Sequence, residues 1–177
     1  MILIRRAEPY DAAGIAHVHV QSWRSTYAGI VPGAYLDSLN EEERAEHWKS
    51  LLGEELEVFV AEREGNVIGF VAGGRSRDRA QHCDGELYAI YLLKDDQRLK
   101  IGRDLVRELA HALKRRGFRK MEVWVLAKNP AKAFYTRMGA QFGRSRQIEI
   151  GGVTLMESAY FWPDLDMVSR RYVVSRS

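Results

Sequence analysis

The stretch from Gly85 to Gly102 combines residue types that can bind an anion. Its first half is apolar and predicts a strand, the residues after Leu93 are polar and predict a turn, and a helix is predicted to begin at Ile101. The first N–H groups of a helix have no acceptor inside the helix, and the helix dipole favours negative charge at the same end. A strand that enters a helix through such a turn therefore predicts a phosphate-binding site.

Two predicted strands and the helix between them position this turn. Residues 87–93 are apolar on both alternating faces, which is typical of a central strand covered on each side. Apolar residues then recur every three or four positions to Leu113, and Gly117 is predicted to end the helix. The next strand is predicted over Arg119 to Leu126. A strand, a helix and a strand in this order predict a right-handed crossover and a parallel pair.

The other elements follow from local signals. Turn residues separate two pairs of β-like segments, and N-cap residues precede two of the helices. The predicted elements are a strand at 2–6, a helix from Asp11, a helix from Asn40 to Leu52, a hairpin of 56–62 and 66–73, a short helix after Asn129-Pro130, and a hairpin of 141–150 and 153–162. Residues 164–177 show little pattern and predict a basic tail that could pack on a partner chain, so a homodimer is left open.

Composition favours a single domain of an ordinary globular protein. The chain has 177 residues, of which 46% are hydrophobic and 29% charged. No apolar run reaches the ~20 residues that a membrane helix needs, and the N-terminus lacks the order of a secretory signal, so we expect a cytoplasmic protein. The single cysteine, Cys83, excludes an internal disulfide. The five histidines show no metal-binding spacing, and no metal site is expected.

Positive charge is concentrated on the predicted anion-binding segment. The net charge is only +3, yet residues 94–120 contain ten lysines or arginines against four acids. A solvated helix face explains most of these charges. Nucleic-acid binding by this helix is a further reading, but the segment lacks the interleaved aromatic residues of a single-strand binder and any helix-turn-helix pattern, so no nucleic-acid partner is expected.

Taken together, the strand ELYAIYLL, the turn QRLKIGRDL and the later segment NPAKAFYTRMGA resemble the GNAT superfamily of acyl-CoA-dependent N-acetyltransferases. The resemblance implies an α/β fold of the α+β type, with a mixed sheet of about seven strands that is mostly antiparallel, has a central parallel pair and is flanked by helices. It is closest over Gly85 to Ala140 and implies one acetyltransferase domain over residues 1–163.

In that family a turn of the form Gln/Arg-x-x-Gly-x-Gly/Ala holds the diphosphate of coenzyme A through its backbone N–H groups. Gln97 and Gly102 match this turn, whereas Lys100 replaces its first glycine. A lysine in the left-handed conformation costs roughly 1 kcal/mol, although its charge could contact the diphosphate. The cofactor-binding residues implied by the resemblance are Leu92, Leu93, Gln97, Arg98, Leu99, Lys100, Ile101, Gly102, Arg103, Asn129 and Tyr135.

The later segment resembles the family pattern Asn-x-x-Ala-x-x-Phe-Tyr-x-x-x-Gly, although here Phe134 and Tyr135 follow Ala133 directly. The resemblance implies that Asn129 contacts the pantetheine arm and that Tyr135 lies near the thioester sulfur. Spacing alone favours a different reading, in which Tyr135 is an aromatic residue of the core with its hydroxyl satisfied.

The implied reaction needs a base for the acceptor ammonium and a proton donor for the departing thiolate. Glu86, which period-two counting places on the same face as Tyr88 and Ile90, is the predicted base, and Tyr135 is the predicted donor. A carboxylate is a weak base near neutrality, so burial or a water chain would have to assist Glu86, and an exposed strand-end carboxylate is the alternative. A backbone N–H near Leu92 could stabilise the oxyanion if the two central strands diverge.

The predicted function is therefore transfer of an acetyl group from acetyl-CoA, as co-substrate, to a primary amine of a small molecule or peptide by direct attack in a ternary complex. Trp23, Tyr27 and Tyr88 are predicted walls of the acceptor pocket, and the charge of Glu86 would favour a cationic acceptor. The alternative is a non-catalytic acyl-CoA-binding module, which the lysine in the turn motivates.

Overall fold

Seven strands form one mixed sheet in the computed structural model of the chain, which describes residues 1–53, 55–78 and 82–169. The strand order is β1-β2-β3-β4-β5-β7-β6, and all neighbours are antiparallel except β4 and β5. The strands are β1 (Ile2–Arg6), β2 (Glu57–Arg63), β3 (Asn66–Arg75), β4 (Gly85–Leu92), β5 (Met121–Leu126), β6 (Gln141–Ile150) and β7 (Val153–Trp162). This architecture confirms the predicted fold class.

Helices cover both faces of the sheet. They are α1 (Ala12–Thr26), α2 (Gly33–Ser38), α3 (Glu41–Leu51), α4 (Ile101–Arg115), α5 (Lys132–Arg137) and α6 (Asp166–Ser169), with 3-10 turns at Pro9–Asp11 and Lys94–Asp96. α1 and α3 pack on one face, where Ile15, Trp48 and Phe70 are buried together. α4 packs on the other face, where Leu105 and Leu109 lie in the same core as β-strand residues.

The predicted cap of α3 makes its side-chain hydrogen bond, whereas Asp11 stands at the predicted N-cap position of α1 without making one. Asn40 accepts a hydrogen bond at its side-chain oxygen from the N–H of Glu43 (3.0 Å), as expected of an N-cap. Asp11 instead lies in a 3-10 turn, where its carboxylate accepts the N–H of Glu8 (2.8 Å) and two N–H groups of Arg5 (2.7 and 2.9 Å). Asp11 therefore ties the start of α1 to β1.

Two short helices lie where the sequence predicts none. α2 follows Pro32 in a segment rich in aromatic and turn residues, and Leu36 buries its side chain there. α6 occupies the start of the predicted tail, and Leu165 and Val168 are buried in the same core as α4. The packed part of the chain therefore extends past residue 163, while residues 170–177 of the predicted tail lie outside the described part.

The central strands β4 and β5 diverge shortly after they begin. Their parallel pairing covers three positions and ends at the pair Leu87 and Val123. β4 continues antiparallel to β3 as far as Leu92, and β5 continues antiparallel to β7 along its whole length. The two facing edges beyond Leu87 consequently lack a neighbouring strand, and a cleft opens between them.

The register of β4 slips by one residue at Tyr88. Ala89 pairs with Ala72 and Leu87 with Gly73, so Tyr88 has no partner on β3. A β-carbon on Gly73 would lie 2.6 Å from the Glu86 carbonyl oxygen, which explains why glycine occupies the position facing the slip. The prediction that Glu86 and Ile90 share a face is wrong for this reason, because Ile90 packs on the α4 side with Leu87.

None of the helices in the described part of the chain has the length and apolar character that a membrane span requires.

His19 on α1 is held among aromatic side chains. Its ring lies 5.4 to 6.2 Å, centroid to centroid, from the rings of Trp23, Trp48, Phe70 and Tyr91. Trp48 Nε1 donates a hydrogen bond to His19 Nδ1 at 3.2 Å, which requires a neutral acceptor nitrogen. Burial, with a smaller contribution from Arg44, lowers the pKa of His19 to about 3.

Acid should therefore destabilise the fold through His19. The unfolded chain takes up this proton below pH ~6.5, whereas the folded chain takes it up only near pH 3, so stability is complete above pH 6.5 and falls as the pH drops towards 3. From pH 7 to pH 5 we expect a loss of about 2 kcal/mol in the free energy of unfolding. Urea unfolding of the wild type and of His19→Gln at pH 5, 6 and 7 measures this loss.

His82→Gln is the matched control, because His82 is exposed. It should keep the pH dependence of the wild type, whereas His19→Gln should lose most of the slope. Equal slopes in the wild type and His19→Gln would exclude His19 as the source.

Candidate active site

A cleft of about 720 Å³ occupies the gap between β4 and β5. Its floor comes from both central strands, and its sides come from α1, the turn before α4, and α5 with the residues that precede it. The predicted site residues that line it are Tyr27, Tyr88, Leu92, Gln97, Arg98, Lys100, Gly102, Arg103, Asn129 and Tyr135. The structure thus brings most of the predicted site together.

The turn before α4 presents a row of unpaired backbone donors at one end of the cleft. Within the described residues, no acceptor is found for the N–H groups of residues 98 to 103, whereas the N–H of Asp104 binds the Lys100 carbonyl (3.1 Å). Arg98 and Lys100 adopt left-handed conformations, with φ of 67° and 65°. Lys100 thus keeps the conformation that glycine would have in the family turn. A run of unpaired N–H groups in a turn with left-handed residues can form an anion-binding concavity.

The end of β4 also turns its backbone towards the cleft. The Leu92 carbonyl accepts hydrogen bonds from Ser22 Oγ and Gln97 Nε2, both at 3.3 Å, and not from β3. Because the N–H and C=O groups of one strand residue point to the same side, the Leu92 N–H also faces the cleft. Leu93 differs, because its N–H binds the Ile68 carbonyl (3.0 Å) and is not a free donor.

Cationic side chains surround the row of unpaired donors. Arg98, Lys100 and Arg103 line the cleft from the turn and from the first turn of α4, and Arg137 lines it from α5. Arg103 also pairs with Asp104 at 3.1 Å. Arg137 was not predicted as a site residue, although it stands two positions after Tyr135 on the same short helix. The charge of the cleft mouth therefore matches an anionic ligand.

Tyr135 lies at the inner side of the cleft and is 5% exposed. Its ring packs edge-on against Trp162 with 6.1 Å between centroids. Burial, and secondarily the nearby Tyr27, raises the pKa of Tyr135 well above its usual value. The hydroxyl therefore stays protonated at neutral pH and can only donate or accept a hydrogen bond there.

Asn129 connects α5 to the opposite wall. Its side-chain oxygen accepts the N–H of Ala131 (2.9 Å), and its amide nitrogen donates to the Tyr27 hydroxyl at 3.2 Å. Burial raises the pKa of Tyr27, which likewise remains protonated at neutral pH. The side chain of Asn129 thus fixes the relative position of α5 and α1, in addition to lining the cleft.

A second cavity of about 440 Å³ adjoins the cleft, and the side chains of Tyr27, Tyr88, Tyr91 and Trp124 line both. Trp23 and Glu86 lie in this second cavity and not in the cleft. We call it the acceptor pocket below.

Glu86 is buried and ion-paired, not an exposed carboxylate. It is 2% exposed. One carboxylate oxygen accepts Arg77 Nη2 (2.7 Å) and Arg77 Nε (3.2 Å), and the other accepts the Arg77 backbone N–H (2.8 Å). The prediction that the Glu86 charge attracts a cationic acceptor has no support here, because Arg77 already neutralises it.

Three predicted residues do not present their side chains to either cavity. The Ile101 side chain is buried in the α4 core, Leu99 is 55% exposed, and Leu93 packs with the α1 side. Sequence reasoning missed several residues that line the cavities, and these are Ser22, Tyr91, Trp124, Arg77, Arg137 and Arg146. For Arg146 a signal exists, because the Gly151-Gly152 turn sets the hairpin register and places Arg146 opposite Glu157.

Other reactive groups lie apart from the two cavities. Across residues 1–53, 55–78 and 82–169, no group of three or more His, Cys, Asp or Glu side chains could hold a metal ion. Burial raises the pKa of the Cys83 thiol to about 11, which makes it a poor nucleophile at neutral pH.

Comparison with known proteins agrees with this geometry. The sequence model of the acetyltransferase (GNAT) family matches residues 19–140, which include the second half of α1, the residues that line the cleft, and α5. The chain belongs to the GNAT family of acetyltransferases. The match covers the donor row of residues 98 to 103.

Relatives and solved structures extend the likeness over nearly the whole chain. The chain is 45% identical over 168 residues to the uncharacterized N-acetyltransferase YuaI of Bacillus subtilis (strain 168), covering 93% of this chain and 95% of YuaI. Its fold matches the PaiA N-acetyltransferase of Thermoplasma acidophilum in complex with coenzyme A, with a TM-score of 0.68, 24% identity, and 89% and 98% of the two chains covered. It also matches the ribosomal-protein-alanine N-acetyltransferase of Brucella melitensis, with a TM-score of 0.72, 22% identity, and coverage of 90% and 98%.

The left-handed backbone at Lys100 predicts an unusual order of stabilities. Alanine keeps a β-carbon at φ 65°, whereas glycine removes it, so Lys100→Gly should exceed Lys100→Ala by about 1 kcal/mol in the free energy of unfolding. Urea unfolding of the two variants measures this difference, and both lack the lysine charge.

Leu99 supplies the matched control for this GNAT turn, because its φ is not positive. Leu99→Gly should be no more stable than Leu99→Ala, since glycine there only adds freedom to the unfolded chain. The same order at both positions would contradict a local backbone cost at Lys100.

Proposed function

We propose that this protein transfers the acetyl group of acetyl-CoA to a primary amine, by direct attack of the amine while both substrates are bound. The observation that carries the proposal is the row of unpaired N–H groups over residues 98 to 103, at the mouth of a cleft between two diverging strands. Membership of the GNAT family and the coenzyme A bound to the similar PaiA enzyme support it.

The residues at the cleft fit the parts of an acyl-CoA. The N–H groups of the turn, with Arg98, Lys100, Arg103 and Arg137 around them, would hold the diphosphate. The apolar floor of β4 and the segment from Asn129 to Tyr135 would hold the pantetheine arm. Acetyl-CoA supplies the activated thioester carbonyl, and the Leu92 N–H is the proposed donor to the oxygen of that carbonyl as it becomes negative.

Tyr135 is the proposed donor to the leaving sulfur. Its raised pKa keeps the hydroxyl protonated at neutral pH, so a proton is always present to donate. The same shift makes complete proton transfer to a thiolate unfavourable, because a thiol has a pKa near 8.5. Stabilisation of the thiolate by a hydrogen bond is therefore the larger part of the proposed role.

The acceptor amine would enter through the acceptor pocket, whose walls include Trp23, Tyr27 and Tyr88. An amine must lose a proton to attack, and an alkylammonium of pKa near 10.4 makes this cost roughly 5 kcal/mol at pH 7. Glu86 is the proposed base and would act through water, since both of its oxygens already accept hydrogen bonds from Arg77. The acceptor can belong to a small molecule or to a peptide, as the name of the similar Brucella enzyme indicates for that enzyme.

A binding test and a turnover test together decide between an enzyme and an acyl-CoA-binding module, the second candidate that the lysine at position 100 favours. We expect calorimetry to detect binding of acetyl-CoA, and we expect release of free coenzyme A when an amine panel is added. Binding without thiol release across the panel would favour the module. Absence of binding by well-folded protein would overturn the proposal.

Removal of the Tyr135 hydroxyl should slow the chemical step and spare binding. For Tyr135→Phe we expect kcat to fall about 100-fold, the usual size of acid–base assistance, with the Kd for acetyl-CoA within about threefold of wild type. Thiol release and calorimetry provide the two measurements.

Tyr160→Phe is the control, because Tyr160 on β7 packs against Phe142 and lines neither cavity. It should retain wild-type kcat. Retention of wild-type kcat by Tyr135→Phe would remove Tyr135 from the proposed role and leave it as a core residue.

A further inference from the structure

The acceptor pocket contains three carboxylates, and each already has an arginine partner. Glu86 pairs with Arg77 at 2.7 Å, and Glu157 pairs with Arg146 at 2.6 Å. Asp78 pairs with Arg144, which also binds the fully buried Glu122 at 3.1 Å. An ammonium group that entered the pocket would therefore find no carboxylate without a cationic partner.

The aromatic walls are covered by the same arginines. The Arg77 guanidinium carbon lies 4.3 Å from the ring centroid of Tyr88. The corresponding distances to the ring of Trp124 are 3.8 Å for Arg146 and 4.8 Å for Arg144. Aromatic faces are the second usual site for an organic cation, and here the protein supplies its own cations to them.

The pocket contains guanidinium N–H donors that have no acceptor among the described residues. Arg77 uses Nε and Nη2 on Glu86, and no acceptor is found for its Nη1 among the described residues. Arg146 uses only Nε, on Glu157, so both of its terminal nitrogens lack an acceptor within that part of the chain. A guanidinium has five N–H groups, and two parallel ones match the two oxygens of a carboxylate.

On the basis of the proposed function, we infer that the acceptor is a free amino acid, whose carboxylate binds Arg146 and Arg77 while its amine faces the cleft. The amine end lies where Tyr27, Tyr88, Tyr91 and Trp124 join the two cavities. An apolar side chain fits the remaining wall, which consists of Leu126, Ile148 and Ile150. The pocket volume of about 440 Å³ accommodates a large side chain.

This inference separates amino acids from other amines by one functional group. A peptide N-terminus or a simple alkylamine has no carboxylate beside its amine, so it leaves the guanidinium donors without an acceptor. The Arg77 and Arg146 side chains are 65% and 50% exposed, so water satisfies these donors when no carboxylate is bound, and the preference comes from hydrogen bonds to a charged group, which are the stronger kind.

The first experiment compares leucine, methionine, phenylalanine and tryptophan with their amides and with the corresponding decarboxylated amines. Free coenzyme A release gives kcat/KM for each member of a set. We expect at least one amino acid to exceed its amide and its amine by about tenfold or more. The amide has the less basic amine, so the protonation state favours the amide and cannot produce a preference for the amino acid over it. The decarboxylated amine is the more basic partner, so the ratio of amino acid to amide is the comparison that decides.

The second experiment removes the guanidinium together with its partner. Arg146 and Glu157 are opposite each other on β6 and β7, and the double variant Arg146→Gln/Glu157→Gln leaves no buried carboxylate unpaired. It should lower kcat/KM for the amino acid by about tenfold and leave the values for the amide and the amine within about twofold. Arg115→Gln, at the exposed end of α4 and away from both cavities, should change none of them.

The outcomes distinguish this inference from the proposed function. If acetyl-CoA binds, and amides or simple amines react with the same kcat/KM as amino acids, the inference is wrong and the proposed acetyltransferase function still holds. An amino-acid preference that survives in the double variant would also overturn the assignment to Arg146. If acetyl-CoA does not bind, the proposed function fails first. Should the double variant not fold, the amino acid to amide ratio of the wild type decides.

Discussion

The separation of β4 from β5 after three paired positions is the constraint on which the site depends. Each strand remains satisfied along its other edge, β4 by β3 and β5 by β7, so the sheet stays intact on both sides of the gap. Only the facing edges lose partners, and buried backbone groups without partners are costly. A ligand that forms hydrogen bonds with those edges would replace the backbone hydrogen bonds that a paired strand would have made.

The turn that follows β4 also has backbone N–H groups without acceptors, here at the start of a helix instead of along a strand edge. The N–H groups of residues 98 to 103 have no acceptor among the residues that the structure describes, because the turn contains two left-handed residues and α4 then begins. Cations and unpaired amides thus meet at one end of the gap, while aromatic residues and arginine-paired acids meet at the other. One departure from regular sheet structure therefore creates both the cleft and the pocket beside it.

Ion pairs fix the walls of the acceptor pocket. Arg144 binds Glu122 and Asp78, and Arg146 binds Glu157, so β6 is joined to β5 and β7 by charges as well as by its ladder. Removal of one partner of a buried pair leaves an uncompensated charge, which is more damaging than removal of both. The pocket walls are consequently rigid where the arginines are paired, while their remaining N–H groups stay open to a ligand.

Much of the fold could be predicted from the sequence because its signals are local. Glycine turns gave the limits of β6 and β7 residue for residue, and the apolar period gave the start of α4 at Ile101. α2 was missed because six residues are too few for a helical period to be recognised. The slip at Tyr88 was missed because counting in twos assumes a regular strand, and it moved Ile90 to the other face.

The candidate site was predictable where residues are close in sequence and not where they are distant. The donor turn, Asn129 and Tyr135 lie in short motifs, and the structure places them in one cleft. Arg77 and Glu86 are separated by a loop whose path the sequence does not determine, so the ion pair between them could not be predicted. Arg146 and Glu157 are an exception, since the hairpin turn alone fixes their register.

The neutral imidazole of His19 stacks near Trp23 and Tyr91, which are also walls of the acceptor pocket. Protonation would place a charge directly behind those two rings and would disturb their packing before the fold as a whole is lost. Because the folded chain takes up this proton only near pH 3, the aromatic wall should keep its packing in mildly acidic solution, and only a loss of turnover near pH 3 would report its loosening.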